Sequence, residues 1–170
     1  MPVPKDFRRF KYQSVRIDRC GRSIGRNSYW KLYAIENSWR IIIHSVLSVQ
    51  ISPTWWAVAV GPKKQRTLTS FRNQYLNNPL HASPGHHDIY LFFLSDLTKM
   101  LADYRNLFIT VLSDIDQWIV RLETIRLPRN LVGHMNYPNT YDRQRIDTTY
   151  ASLPGAFAQL NQNGITVLIP

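Results

Sequence analysis

The chain has 170 residues, 44% of them apolar and only one a cysteine, Cys20; a single domain with a substantial core is expected, and an internal disulfide or a Cys-rich zinc module is excluded. The opening MPVPKDFRRF places no apolar stretch ahead of its charges, and the longest apolar runs, WRIIIHSVLSVQI and IYLFFL, are too short or too polar to span a bilayer, so a soluble, cytoplasmic protein with no membrane partner is expected. The net charge of +10 is concentrated at one end, where nine cations from Lys5 to Lys31 face only Asp6 and Asp18; such a field attracts polyanions, foremost nucleic acid, with an acidic protein partner as the plainer alternative.

In chain order, residues 1–27 interrupt their apolar positions with Gly21 and Gly25 and read as a basic N-terminal arm or short elements over the core. From Ser28 the pattern changes. Leu32, Ile35, Trp39, Ile42, Ile43, Val46 and Val49 recur at spacings of three and four, which predicts a long amphipathic helix capped by Asn27 or Ser28 and ended by Pro53. On it, Glu36 and Arg40 are four apart, in the order that favours an exposed ion pair. Trp55 and Trp56 are expected to plug the core rather than stack on bases. KKQRTLTSFRNQYL reads as a solvated basic helix and LNNPLHASPGHHD as a loop.

IYLFFL reads as a buried strand or a helix lead-in, followed by a helix capped by Ser95. Ser113 or Asp114 caps the next helix, whose stripe is Ile115, Trp118, Ile119, Leu122 and Ile125; Pro128 is expected to kink or restart it. A last helix is expected from Asp142 to Leu160, weakened at Pro154 and Gly155, and ITVLIP is read as a short strand or a tail docking on a partner. The predicted fold class is all-α, four or five helices, with the helical domain over residues 28–160 and a tail over 161–170.

The chemistry-bearing stretch is RNLVGH, Arg129 to His134. If Pro128 occupies a first helical turn, Arg129 lies at a helix N-terminus, where free N–H groups and the dipole favour a phosphate. Asn130 and His134 are four apart and share a face, and Gly133 removes bulk beside the histidine. Cleaving RNA without a metal needs proton transfer to and from oxygen, which suits histidine, and a cation on the phosphoryl oxygens, which suits arginine. One chain supplies one such histidine, so two copies across a twofold axis would supply an acid and a base. The same three residue types also occur within six positions on plain helix surfaces.

RNLVGH resembles the R-N-x-x-x-H form of the motif of the HEPN superfamily (higher eukaryotes and prokaryotes nucleotide-binding), small α-helical domains that include metal-independent ribonuclease toxins. AIENSWRIIIHSVLSVQISPTWW is similar to the long second helix and following tryptophans of several HEPN groups, and LETIRLPRNLVGH to their approach to the histidine; the resemblance covers roughly residues 28–155. It implies an up-and-down bundle that dimerises so that two motif helices face each other across an RNA cleft. It further implies that Arg129 contacts the scissile phosphate, that His134 transfers protons and that Asn130 orients one or the other. Glu36 becomes the candidate acid that positions the arginine; Arg126, Tyr137, and Arg8 and Arg9 of the basic arm outside the resemblance, are further candidate RNA contacts. No metal or cofactor is implied, and the products would be a 2′,3′-cyclic phosphate and a 5′-hydroxyl. The implied setting is a toxin–antitoxin or antiphage system with a neutralising antitoxin or a defence-complex partner. Tyr137 stands three residues after His134, whereas the toxin branch paired with nucleotidyltransferase antitoxins carries its tyrosine two after. The alternatives are a non-catalytic RNA- or nucleotide-binding or assembly module of the same fold, and a helical DNA-binding regulator, for which no helix-turn-helix spacing is evident.

Three other groups are read as structural: His86 and His87, adjacent on a loop without a matching carboxylate or Cys cluster; His44, beside the apolar stripe of its helix; and Cys20.

Overall fold

The computed structural model describes residues 6–78 and 80–170, and all regular secondary structure among them is helical. The expected basic arm is largely helix. After one 3-10 turn at Phe7–Arg9, α1 runs Ser14–Ile24, widens into a π-turn at Gly25–Tyr29 and continues directly as α2, Trp30–Gln50. Asn27 and Ser28 therefore lie inside a continuous helix and cap nothing. α1 escaped the apolar-period reading because it buries only Cys20 and Ser23. Gly21 and Gly25 meet no neighbouring atom within 4 Å and sit on its exposed side. The first part of the expected arm, residues 1–5, lies outside the described residues.

The remaining elements are α3 (Trp55–Ala59), α4 (Pro62–Leu76), a 3-10 turn at Asp88–Leu91, α5 (Leu94–Asp103), α6 (Arg105–Phe108), α7 (Ile115–Gly133) and α8 (Thr140–Gln162). α2 packs on α5 and α8, and α7 packs on the same two helices, so these four close a bundle with α2 and α7 at opposite corners. The periodic stripe of α2 and that of α7 both face inward: Ile35, Trp39, Ile42, Ile43 and Val46 are fully buried, as are Leu122 and Ile125. Each such aliphatic side chain contributes roughly 1.5–3 kcal/mol on leaving water. Trp39 and Trp118 meet across the middle, with ring centroids 5.5 Å apart.

Neither proline expected to disturb a helix interrupts it. Pro128 lies inside α7 and is buried, and Pro154 lies inside α8. A mid-helix proline costs a backbone hydrogen bond and a steric clash; at Pro128 burial against the bundle offsets that cost. The cap of α5 also differs, since the Asp96 carboxylate accepts the Phe93 N–H at 3.0 Å while Ser95 lies in the first turn. α8 begins earlier than expected because Asn139 Oδ1 accepts the Asp142 N–H at 2.8 Å and Asp142 accepts the Asn139 N–H at 3.1 Å, a reciprocal cap. IYLFFL is a helix lead-in rather than a strand.

ITVLIP forms no strand. It docks on the chain's own α2: Ile165 is buried, and the Leu168 N–H donates to Ser45 Oγ at 2.8 Å. Trp55 is fully buried, as expected for a core plug, and its Nε1–H donates to His44 Nδ1 at 3.2 Å. His87 stacks on Trp55, with centroids 5.5 Å apart and planes 19° apart, while its Nδ1 accepts the Ile89 N–H at 3.1 Å. Among the described residues no helix is long and apolar enough to cross a membrane.

Candidate functional site

From the last residue of the π-turn along α2, Tyr29, Tyr33 and Glu36 or Asn37, then Arg40, are three or four residues apart, so the helix turns them toward one side. That side forms one wall of a cleft of about 610 Å³. The second wall is the end of α7 and the residues after it, with Arg129, Val132, Gly133 and Met135; the third is the loop carrying Pro84, Gly85 and Tyr90. Gly85 is required by close approach, since a Cβ there would lie 2.5 Å from Tyr90 Cδ2. Arg72 of α4 holds this loop, donating to Asp88 Oδ1 at 2.5 Å and to the Gly85 carbonyl at 3.0 Å.

A charged triad lies on the cleft floor. Arg129 Nε donates to Glu36 Oε1 at 2.6 Å, and Arg40 Nη2 donates to Glu36 Oε2 at 2.9 Å and to the Phe92 carbonyl at 2.8 Å. Arg40 Nη1 also donates to Asn37 Oδ1 at 3.1 Å. The Glu36–Arg40 pair predicted from spacing is thus formed, but it is buried rather than exposed: Glu36 is 8% and Arg40 9% accessible. The reason is tertiary, because Phe92 and the loop before it cover this part of α2. Arg40 Nε is buried without a hydrogen-bond partner. One carboxylate serves two guanidiniums, which leaves one positive charge in excess. Arg129, whose side chain is 28% accessible, engages Glu36 through Nε alone, so its two terminal nitrogens remain for another acceptor.

The structure brings Arg129 and Glu36 together across 93 residues of sequence. It does not put Arg129 at a helix N-terminus. α7 passes through Pro128, and Arg129 stands one turn before the final residue Gly133, where the helix dipole favours the cation itself rather than an anion at free N–H groups. The positive charge offered to the cleft is that of the guanidinium. A Cβ on Gly133 would sit 3.7 Å from Arg129 Nη1, an ordinary contact, so the glycine is not demanded by packing within the chain.

His134 is the residue that ends α7. The Met135 N–H donates to the Val132 carbonyl at 2.9 Å and the Asn136 N–H to the Leu131 carbonyl at 3.0 Å, a Schellman closure with Met135 in the left-handed region at φ 58°. His134 is exposed and stands between two lining residues, Gly133 and Met135, without itself lining the cleft. Asn130 is exposed and outside the lining too. Of the other expected RNA contacts, Arg126 pairs with Glu123 at 3.0 Å on the outer face of α7, and the Tyr137 hydroxyl lies 3.4 Å from Ser23 Oγ of α1. Arg8 pairs with Asp6 at 2.7 Å and donates to Asn136 Oδ1 at 3.1 Å, which ties the 3-10 turn to the end of the motif; Arg9 is exposed. The Arg8 guanidinium holds the Asp6 carboxyl below its usual range.

Sequence reasoning missed Arg40, Tyr29, Tyr33 and Tyr90 as parts of this site. The four-residue ladder from Tyr29 through Tyr33 to Asn37 was a signal, polar-aromatic positions repeating on a face other than the apolar stripe. Among the described residues no group of three or more His, Cys, Asp or Glu side chains is placed so that it could hold a metal ion. Comparison with family models, with curated proteins and with solved structures finds no match for this chain.

Proposed function

We propose that the protein is a metal-independent endoribonuclease of the HEPN type, acting as a cytoplasmic homodimer and restrained by a cognate antitoxin or a defence-complex partner. The observation that carries the reading is the Glu36–Arg129 contact at 2.6 Å, in which the acid from the long helix fixes the arginine of RNLVGH beside a cleft. A guanidinium held through Nε presents its other nitrogens to phosphoryl oxygens, where charge builds as the 2′-oxygen attacks phosphorus. His134, exposed at the helix end, is open to a second copy. Two such histidines would divide the work: one takes the 2′-hydroxyl proton, the other protonates the departing 5′-oxygen, and the phosphate closes to the 2′,3′-cyclic form. The net charge of +10 supports an RNA partner by steering and by contacts to phosphate.

A second reading has its own observation. His134 stands outside the cleft lining while the triad's excess charge lies inside it, an arrangement suited to gripping RNA without cutting. The two part company when wild type and His134→Ala are incubated with total cellular RNA in excess EDTA and the fragment ends are examined. The nuclease gives cleavage with wild type alone, leaving 2′,3′-cyclic phosphates, with RNA binding kept in the variant. Intact RNA with both proteins supports the binding module, and cleavage by both removes RNLVGH from the chemistry.

A further inference from the structure

The cleft has the size and lining for more than a phosphate. Its volume of about 610 Å³ falls within the range of roughly 300–1,000 Å³ typical of small-molecule sites. Tyr29, at the end of the π-turn, and Tyr33, four residues on in α2, are 54% and 66% exposed, although aromatic rings gain most by burial. Tyr90 stands on the facing loop, its ring against Gly85. The exposed rings of Tyr29 and Tyr33 and the half-buried ring of Tyr90 thus flank a floor that carries an excess positive charge, with Arg129's terminal nitrogens unengaged.

We infer that this cleft is a subsite for one unpaired nucleotide of a single-stranded RNA, its base stacked on Tyr33 and its phosphate held by Arg129. A base within a duplex is already stacked and paired and has no free face to offer the tyrosine, whereas an unpaired base does; stacking is sequence-tolerant because every base has a π-face. The subsite therefore selects for strandedness rather than sequence. Glu36 contributes by fixing Arg129, and the loop of Pro84 and Gly85 sets the width of the slot. The inference deepens the ribonuclease reading and rests on it for the choice of RNA as the polymer.

The test measures binding of a fluorescently labelled 2′-O-methyl RNA hexamer, which lacks the attacking hydroxyl, as a single strand and as a duplex. Wild type is expected to prefer the single strand. Tyr33→Ala is expected to weaken single-strand binding by about tenfold, the effect of losing one stacked base, and Tyr33→Phe to stay within about twofold. Tyr12→Ala, at an exposed tyrosine outside the cleft lining, serves as the control and should bind as wild type. Tyr33 is exposed enough that both variants should fold, which circular dichroism checks. Equal binding of single strand and duplex, or equal binding by Tyr33→Ala and Tyr33→Phe, overturns the subsite. A protein that passes this test and leaves cellular RNA intact keeps the subsite and loses the ribonuclease reading. One that cuts RNA equally well with Tyr33→Ala keeps the nuclease and loses the subsite.

Discussion

Glu36 carries the site. Its side chain is 11% accessible, and its carboxylate neutralises one of two guanidiniums while orienting the other, so its removal leaves buried positive charge uncompensated. Breaking a buried pair from one side costs about 3–5 kcal/mol. Glu36→Ala should therefore lower unfolding stability by about 3 kcal/mol in urea titrations, and Glu36→Gln, which keeps one acceptor oxygen for one guanidinium but turns an amide NH2 toward the other, by less. The residue also shows where sequence reasoning succeeded and where it stopped. Its spacing from Arg40 announced an ion pair, and a resemblance in RNLVGH named Arg129 as a second partner. Its burial was invisible, because it depends on Phe92 and the loop of Pro84 and Gly85, which lie about 50 residues further along the chain.

At the scale of elements, the stripes of α2 and α7 were legible because each buries one face at helical spacing, whereas the reciprocal cap of Asn139 and Asp142 was passed over and the start of α8 set too late. The continuity of α1 into α2 and of α7 past Pro128 was not legible. In the first case glycines on an exposed face look like a break; in the second, local proline rules give way to burial in the bundle. The same logic gives a direct prediction for α8. Pro154 and Gly155 sit side by side on its exposed surface, and a Cβ at Gly155 would meet nothing within 4 Å. Gly155→Ala should raise stability by about 1 kcal/mol and Pro154→Ala by about 2–3 kcal/mol, read as shifts in the denaturation midpoint. A loss of stability in either would mean that the helix bends there for a reason of packing.

For the whole molecule, acid stability depends in part on a histidine pair, of which His87 lies between the lining residues Gly85 and Tyr90. Burial, together with the neighbouring His44, pushes His87 down to about 4, and burial lowers His44 as well. Both accept hydrogen bonds at Nδ1, from Ile89 and Trp55 respectively, and protonation at that atom would forfeit them. Below the ordinary histidine pKa of about 6.5 the unfolded chain takes up protons that the folded chain refuses. Stability is thus complete above that value and declines as pH falls from about 6.5 towards 4. Thermal melts across that window should show the decline, and His87→Asn, which retains a side-chain acceptor for the Ile89 N–H but does not titrate, should flatten it.

Glu36 leaves the ribosome 93 residues ahead of Arg129. Until α7 has been made and packed, the carboxylate has only Arg40 beside it on its own helix, a neutral couple with no spare charge to offer a phosphate. The second guanidinium arrives with the closing of the bundle. An unfinished or misfolded chain by this construction lacks the excess charge of the cleft floor, which arises together with the completed fold.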